Sequence, residues 1–138
     1  MLHALADNNE QLRDDHIEHL MQAYNDLSTF SDVNPALAQI AADPSIQAVI
    51  FSNGTKTMLS NSVLRSKDLS PHASVFQDIV TVDEVQQYKP SKASYEHLAK
   101  QTGQDPLQMS KLWLISGNPF DIVGARATGI HAIWADRV

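Results

Sequence analysis

The sequence predicts an α/β fold: a Rossmann-like, mainly parallel sheet with helices on both faces, preceded by an all-helical appendage. Three observations carry this. Four short apolar runs, at residues 48–51, 79–82, 112–115 and 131–134, are each followed by polar or turn-forming residues, as suits strands buried on both faces. Between them lie polar–apolar segments of helical length, at residues 55–67, 91–102 and 119–128. Strands alternating with helices imply βαβ crossovers and hence parallel pairing. Before the first run the hydrophobic period is helical throughout.

In the N-terminal appendage, Ile17, Leu20, Met21, Tyr24 and Leu27 recur at i, i+3, i+4 and i+7. They form one apolar stripe, with Arg13, Asp14, Glu18 and Asp26 on the wet side. A break follows at Ser28-Thr29-Phe30-Ser31. Asp32 or Asn34 is placed to cap the next helix, with Pro35 near its first turn, where a missing N–H costs nothing. That helix directs Leu37, Ile40 and Ala41 inward and stops before Asp43-Pro44, because the residue preceding a proline is disfavoured in helical conformation. The first strand then ends at Ser52-Asn53-Gly54. The second leads to Asp83 and on to Lys89-Pro90, the third to Ser116-Gly117-Asn118-Pro119-Phe120-Asp121, and the fourth to Ala135-Asp136-Arg137. No internal repeat and no low-complexity stretch interrupts the series.

Composition narrows the function classes. At 138 residues the chain is of single-domain size, enough to bury roughly 68% of its unfolded surface. Ten basic against sixteen acidic residues give a net charge of -6, with no Lys/Arg cluster. Nucleic acid and anionic membrane faces, which require local positive potential, are therefore poor partners. The chain has no Cys, which excludes a disulfide framework, a thiolate nucleophile and thiolate-built zinc or iron–sulfur sites. No apolar run approaches the ~18 residues of a membrane span, and no secretory signal is visible; a cytoplasmic location is expected. His16, His19, His72 and His97 show no metal-ligand spacing.

In an open parallel sheet, ligands bind beyond the carboxyl ends of the strands, so the residues after each run are the candidates. Singly, each has an ordinary reading. Asn53-Gly54 is a turn dipeptide. Ser52 is a cap or part of an anion site at a helix N-terminus. Lys89 is held extended by Pro90 and either points into a crevice or is solvated. Asn118 suits an N-cap, and Asp121 is a first-turn acid favoured by the helix dipole.

Together and in order, these residues resemble the haloacid dehalogenase superfamily, and within it the type II (S)-2-haloacid dehalogenases. The resemblance rests on Phe51-Ser52-Asn53-Gly54, on Tyr88-Lys89-Pro90 with Tyr95 six residues after the lysine, and on Ser116 to Asp121 followed by Gly124-Ala125-Arg126 and Gly129. It extends to Trp134-Ala135-Asp136-Arg137 at the end. Upstream it includes Ala23 to Leu27 and Phe30 to Val33, which look like the join between a helical cap and the core. The implied organisation is the C-terminal part of a cap over residues 1–30 and a Rossmann-like core over 31–138.

The resemblance also implies a chemistry. In that family an aspartate displaces halide from C2 of a small 2-haloacid and forms an ester, which water cleaves. Lys89, Ser116, Asn118 and Asp121 match catalytic positions: the lysine balances the gathered negative charge, and the other three order the nucleophile, the lysine and the water. Ser52, Asn53, Tyr95 and Phe120 match substrate-facing positions. No cofactor is implied and no metal. Magnesium phosphatases of the superfamily usually carry Gly-Asp-x-x-x-Asp, and Gly117 would fall at the first acid, where it offers no side-chain oxygen to Mg²⁺.

One family element has no counterpart. A first strand ending in the nucleophilic aspartate is not found; Asp7, Asp14 and Asp15 have no apolar strand before them. The chain looks as if it starts inside the cap, at least one βα unit, roughly 30 residues, into the family pattern. In the superfamily that strand lies between those carrying Ile50 and Leu114. A sheet open there exposes two apolar edges, a hazard that a rearranged sheet, homodimerisation, strand exchange or a companion N-terminal fragment would relieve. The expectation is a dehalogenase-type hydrolase in truncated form, inactive by itself. The alternatives are a non-catalytic remnant that binds small carboxylates, or a magnesium phosphatase. A phosphate-accepting receiver domain fails on the order of its motifs.

Overall fold

The computed structural model describes residues 2–23 and 28–137, with side chains from Leu5 onward. Its elements are, in order, α1 (Leu2–Asp7), α2 (Asp14–Ala23), α3 (Val33–Ala42), β1 (Ala48–Ser52), α4 (Lys56–Arg65), β2 (Phe76–Thr81), α5 (Lys92–Gln101), β3 (Trp113–Ser116), α6 (Pro119–Ala127) and β4 (His131–Trp134). Short 3-10 turns precede β2, follow it and precede β3. All four predicted strands and the helices between them are present. The second strand starts three residues earlier than expected and ends at Thr81, with Val82 opening a 3-10 turn. No helix among the described residues is long and apolar enough to cross a membrane.

The chain divides into two compact units: Met1–Gln47 with Thr57–Phe76, and Ala48–Lys56 with Gln77–Val138. In the first unit Leu37 and Val63 are buried, and α3 packs on the 3-10 turn Ser70–Val75. The Ser66 hydroxyl, also buried, accepts from the amides of Asp68 and Leu69, and Asp68 accepts from the Thr29 amide. As expected, α3 stops before Asp43-Pro44. Ala41, expected to face inward, is exposed; a methyl group at the end of a ten-residue helix has little burial to gain. The α2 stripe is open as well: no residue of α2 is buried. Its expected continuation through Tyr24, Asp26 and Leu27 lies outside the described residues.

The second unit holds the core and the strands. Val80, Tyr95, Leu98, Ala99, Met109, Leu114, Ala125 and Ile130 form one buried cluster, flanked by Val49, Phe51, Leu112 and Ala132. β3 and β4 pair in parallel with Trp113 opposite His131 and Ser116 opposite Trp134, joined by the α6 crossover. α6 ends in Thr128 and then Gly129 at φ 94°, a left-handed position that glycine takes without the Cβ penalty. β1 pairs with β2, and the two ladders are separate. Where one continuous sheet would run, the break falls between β1 and β3, the strands between which the resemblance puts a further strand.

Candidate active site

Four of the eight expected site residues converge in the second unit, at the carboxyl ends of β1 and β3. Lys89 reaches its place through the extended loop after β2, across a cis bond to Pro90. Its ammonium lies 2.7 Å from Asp121 Oδ2 and donates to the Phe51 carbonyl at 3.1 Å. It also stands 4.4 Å from the centroid of the Phe51 ring, where the ring's negative face attracts a cation. Asp121 arrives from the first turn of α6, with its own N–H donating to the Asn118 carbonyl. The side chains of Lys89 and Asp121 are 9% and 2% exposed. A charge pair this dry is tolerated only with further hydrogen bonds, and both partners have them.

Tyr95 supplies the rest. Its hydroxyl donates to Asp121 Oδ1 at 2.7 Å and lies 3.1 Å from the Asp121 carbonyl. The ring stands edge-on to Phe51, with centroids 5.8 Å apart. Burial, with the hydrogen bond to Asp121 second, pushes the phenol well above its ordinary pKa, so it remains a donor at any physiological pH. Tyr95 has 0% of its surface exposed. The resemblance puts it among the substrate-facing residues; in this structure its hydroxyl is turned to Asp121.

Asn53 is tied to the same lysine from behind. Its Oδ1 accepts from the Lys89 amide at 2.9 Å and its Nδ2 donates to the Lys89 carbonyl at 3.4 Å. Ser52 and Ser116 end their strands alike: each hydroxyl accepts from the backbone N–H two residues on, Gly54 at 3.0 Å and Asn118 at 3.1 Å. Such Ser turns shape the loops that carry the polar groups. Asn118 is the N-cap residue of α6, and Phe120 is exposed on its first turn. These four are placed beside the Lys89–Asp121 pair in sequence and topology.

Phe51 and Gly124 stand in the motifs, but their roles here were not readable from the sequence. The Phe51 carbonyl is a backbone group, which no residue type announces. Gly124 is needed because a Cβ there would stand 2.5 Å from Tyr95 Oη and 2.7 Å from Pro90 Cβ; the close approach exists only in three dimensions. The arrangement can hold one fixed positive charge beside a loop cluster and can hydrogen-bond small polar groups there. Asp121 is not set up as a nucleophile, because both its oxygens are engaged, one by Lys89 and one by Tyr95. Among the described residues no group of three or more His, Asp or Glu is placed to hold a metal ion.

A family model described as haloacid dehalogenase-like hydrolase matches residues 2–135. The chain belongs to that family. Among relatives of this haloacid dehalogenase-like chain, (S)-2-haloacid dehalogenase 1 of Pseudomonas sp. (strain CBS-3) is 29% identical over 119 residues, covering 86% of this chain and 49% of the relative. The (S)-2-haloacid dehalogenase of Pseudomonas sp. (strain YL) is 31% identical over 121 residues, 86% of this chain and 47% of its own. The crystal structure of the L-2-haloacid dehalogenase RSc1362 superposes with a TM-score of 0.85 at 27% identity, over 99% of this chain and 56% of that one. That of Xanthobacter autotrophicus L-2-haloacid dehalogenase with chloropropionic acid covalently bound gives 0.80 at 25%, over 99% and 51%. The haloacid dehalogenase-like chain thus spans about half the length of the relatives it matches.

Proposed function

We propose that this protein acts in hydrolytic dehalogenation of small 2-haloacids, contributing the charge-balancing and ordering half of the site. The observation that carries the reading is the dry Lys89–Asp121–Tyr95 group at the carboxyl ends of β1 and β3. In the proposed reaction a carboxylate attacks C2, the carbon–halogen bond breaks and halide leaves with the electron pair. Water then cleaves the resulting ester to the 2-hydroxy acid. An anionic substrate beside an anionic nucleophile needs a nearby cation, and Lys89 is the buried one. Ser52 and Asn53 take the substrate side, Ser116 and Asn118 order water, and Asp121 orders the lysine. The attacking carboxylate is not Asp121, whose oxygens are occupied, and the 138-residue chain is inactive by itself in this reading. The same occupancy favours a second reading, a cytoplasmic binder of small carboxylates without turnover.

The test is halide release from (S)-2-chloropropionate by the protein isolated as its native cell makes it, with the Lys89→Ala form alongside. Release that disappears in the variant supports dehalogenation. Saturable binding of chloropropionate without halide release supports the binder instead. Magnesium-dependent phosphate release without dehalogenation overturns both.

A further inference from the structure

Phe51 meets the Lys89 ammonium twice. Its carbonyl accepts from Nζ at 3.1 Å, and its ring centroid stands 4.4 Å from the same nitrogen. The ring is also edge-on to Tyr95, the donor to Asp121 Oδ1. One residue of β1 therefore touches both the cation and the tyrosine that bonds its counter-ion. Phe51 is partly buried and packs against the core cluster, a task that a Leu or Ile side chain fills about as well by burial alone. A ring face beside the ammonium is what those side chains lack.

Charge arithmetic gives that ring a use. Among the described residues, Asp121 is the one carboxylate in salt-bridge contact with Lys89. In a site this dry, the ammonium needs further attraction to replace the water it has given up. A second carboxylate would supply it, but would cancel the positive potential that an anionic substrate and an anionic nucleophile require. An aromatic face attracts a cation through its quadrupole and carries no net charge.

We propose that Phe51 is the positioning residue of Lys89: the negative face of its ring, with its carbonyl, fixes the ammonium against Asp121 and leaves the positive charge to the site. The purpose of that hold rests on the dehalogenation reading above; the hold itself does not.

The test replaces Phe51 in the full chain by ring-fluorinated phenylalanines of increasing fluorine content. These keep the shape of the side chain and progressively weaken its negative face. Acetylation by acetic anhydride at constant pH, read residue by residue by mass spectrometry, gives the readout, with the exposed Lys56, Lys92, Lys100 and Lys111 as internal references. Labelling of Lys89 is expected to rise stepwise with fluorine content, to about two- to thirtyfold, the span of a cation–π contact. The reference lysines and the far-ultraviolet circular dichroism are expected to stay unchanged. Phe51→Leu, which keeps the carbonyl and an apolar side chain, is expected to match the top of the series. A Lys89 rate that stays flat along the series or in Phe51→Leu overturns the proposal and makes the ring core filling alone. A rise shared by the reference lysines reports a loosened chain and overturns it too. Halide release does not enter this readout, so a protein that fails to dehalogenate rejects the reaction proposed above while a rising series still supports the hold.

Discussion

Lys89 Nζ and Asp121 Oδ2 stand 2.7 Å apart, joining residues 32 positions apart in sequence in one nearly water-free ion pair. The pair is closed on both sides: the Phe51 carbonyl and ring take the ammonium, and the Tyr95 hydroxyl takes the second carboxylate oxygen. Removing one partner of such a pair leaves a buried charge without compensation, at a cost of about 3–5 kcal/mol. Lys89→Met and Asp121→Asn are each expected to lose stability on that scale in urea denaturation. The double variant is expected to lose much less than their sum, because no bare charge remains. Additive losses would mean that the two groups do not act as a pair.

Tyr95 gives a second prediction, in pH. Its folded-state pKa is raised by burial and by Asp121, so the folded chain holds the phenolic proton after the unfolded chain has released it. The associated stability is complete below the unfolded value of about 10 and is lost as pH rises above it. Tyr95→Phe removes this alkaline slope. At neutral pH it leaves Asp121 Oδ1 short of a donor, for a loss of about 1–3 kcal/mol. Denaturant midpoints of both forms at neutral and strongly alkaline pH check the two parts separately.

The fold was legible because its signals are local. Apolar runs ending in turn residues marked β1, β3 and β4 to within a residue of their observed bounds, and Asp43-Pro44 marked the end of α3. The start of β2 was not legible: Phe76-Gln77-Asp78 puts polar residues in a strand whose outer part is half exposed, which breaks the apolar pattern. At the site, Lys89 and Asp121 could be named from the motif order. That the Tyr95 hydroxyl bonds Asp121 could not, since the two meet only in the folded chain. Exposure of the β3 face was equally hidden, because a run such as 112–115 reads the same whether one face or both are covered.

Asn53 lends itself to a graded test. Its amide both accepts from and donates to the Lys89 backbone. Asn53→Ala is expected to cost about 1–3 kcal/mol, two hydrogen bonds of roughly 0.5–1.5 kcal/mol each, and to loosen the lysine. Selective acetylation read by mass spectrometry is then expected to modify Lys89 faster in the variant. Unchanged labelling with full loss of stability would mean that the amide holds the loop without holding the ammonium.

Gly124 and Gly117 make the last pair, identical on paper and opposite in consequence. At Gly124 a methyl group would meet Tyr95 Oη at 2.5 Å, Pro90 Cβ at 2.7 Å and Tyr95 Cε2 at 2.9 Å. Tyr95 is fully buried and cannot swing aside without leaving Asp121. Gly124→Ala is therefore expected to cost about 1–3 kcal/mol, the range for overpacking a filled core, and to disturb the Tyr95–Asp121 bond as well. At Gly117 the nearest atom to a Cβ is the Ala135 carbonyl oxygen at 3.6 Å, an ordinary contact, and the backbone there has no positive φ. Gly117→Ala is expected to stay within about 0.5 kcal/mol of the parent, as other surface changes do. Thermal midpoints of the two variants, measured side by side, decide it; equal losses would show that the Tyr95 packing is looser than these distances require.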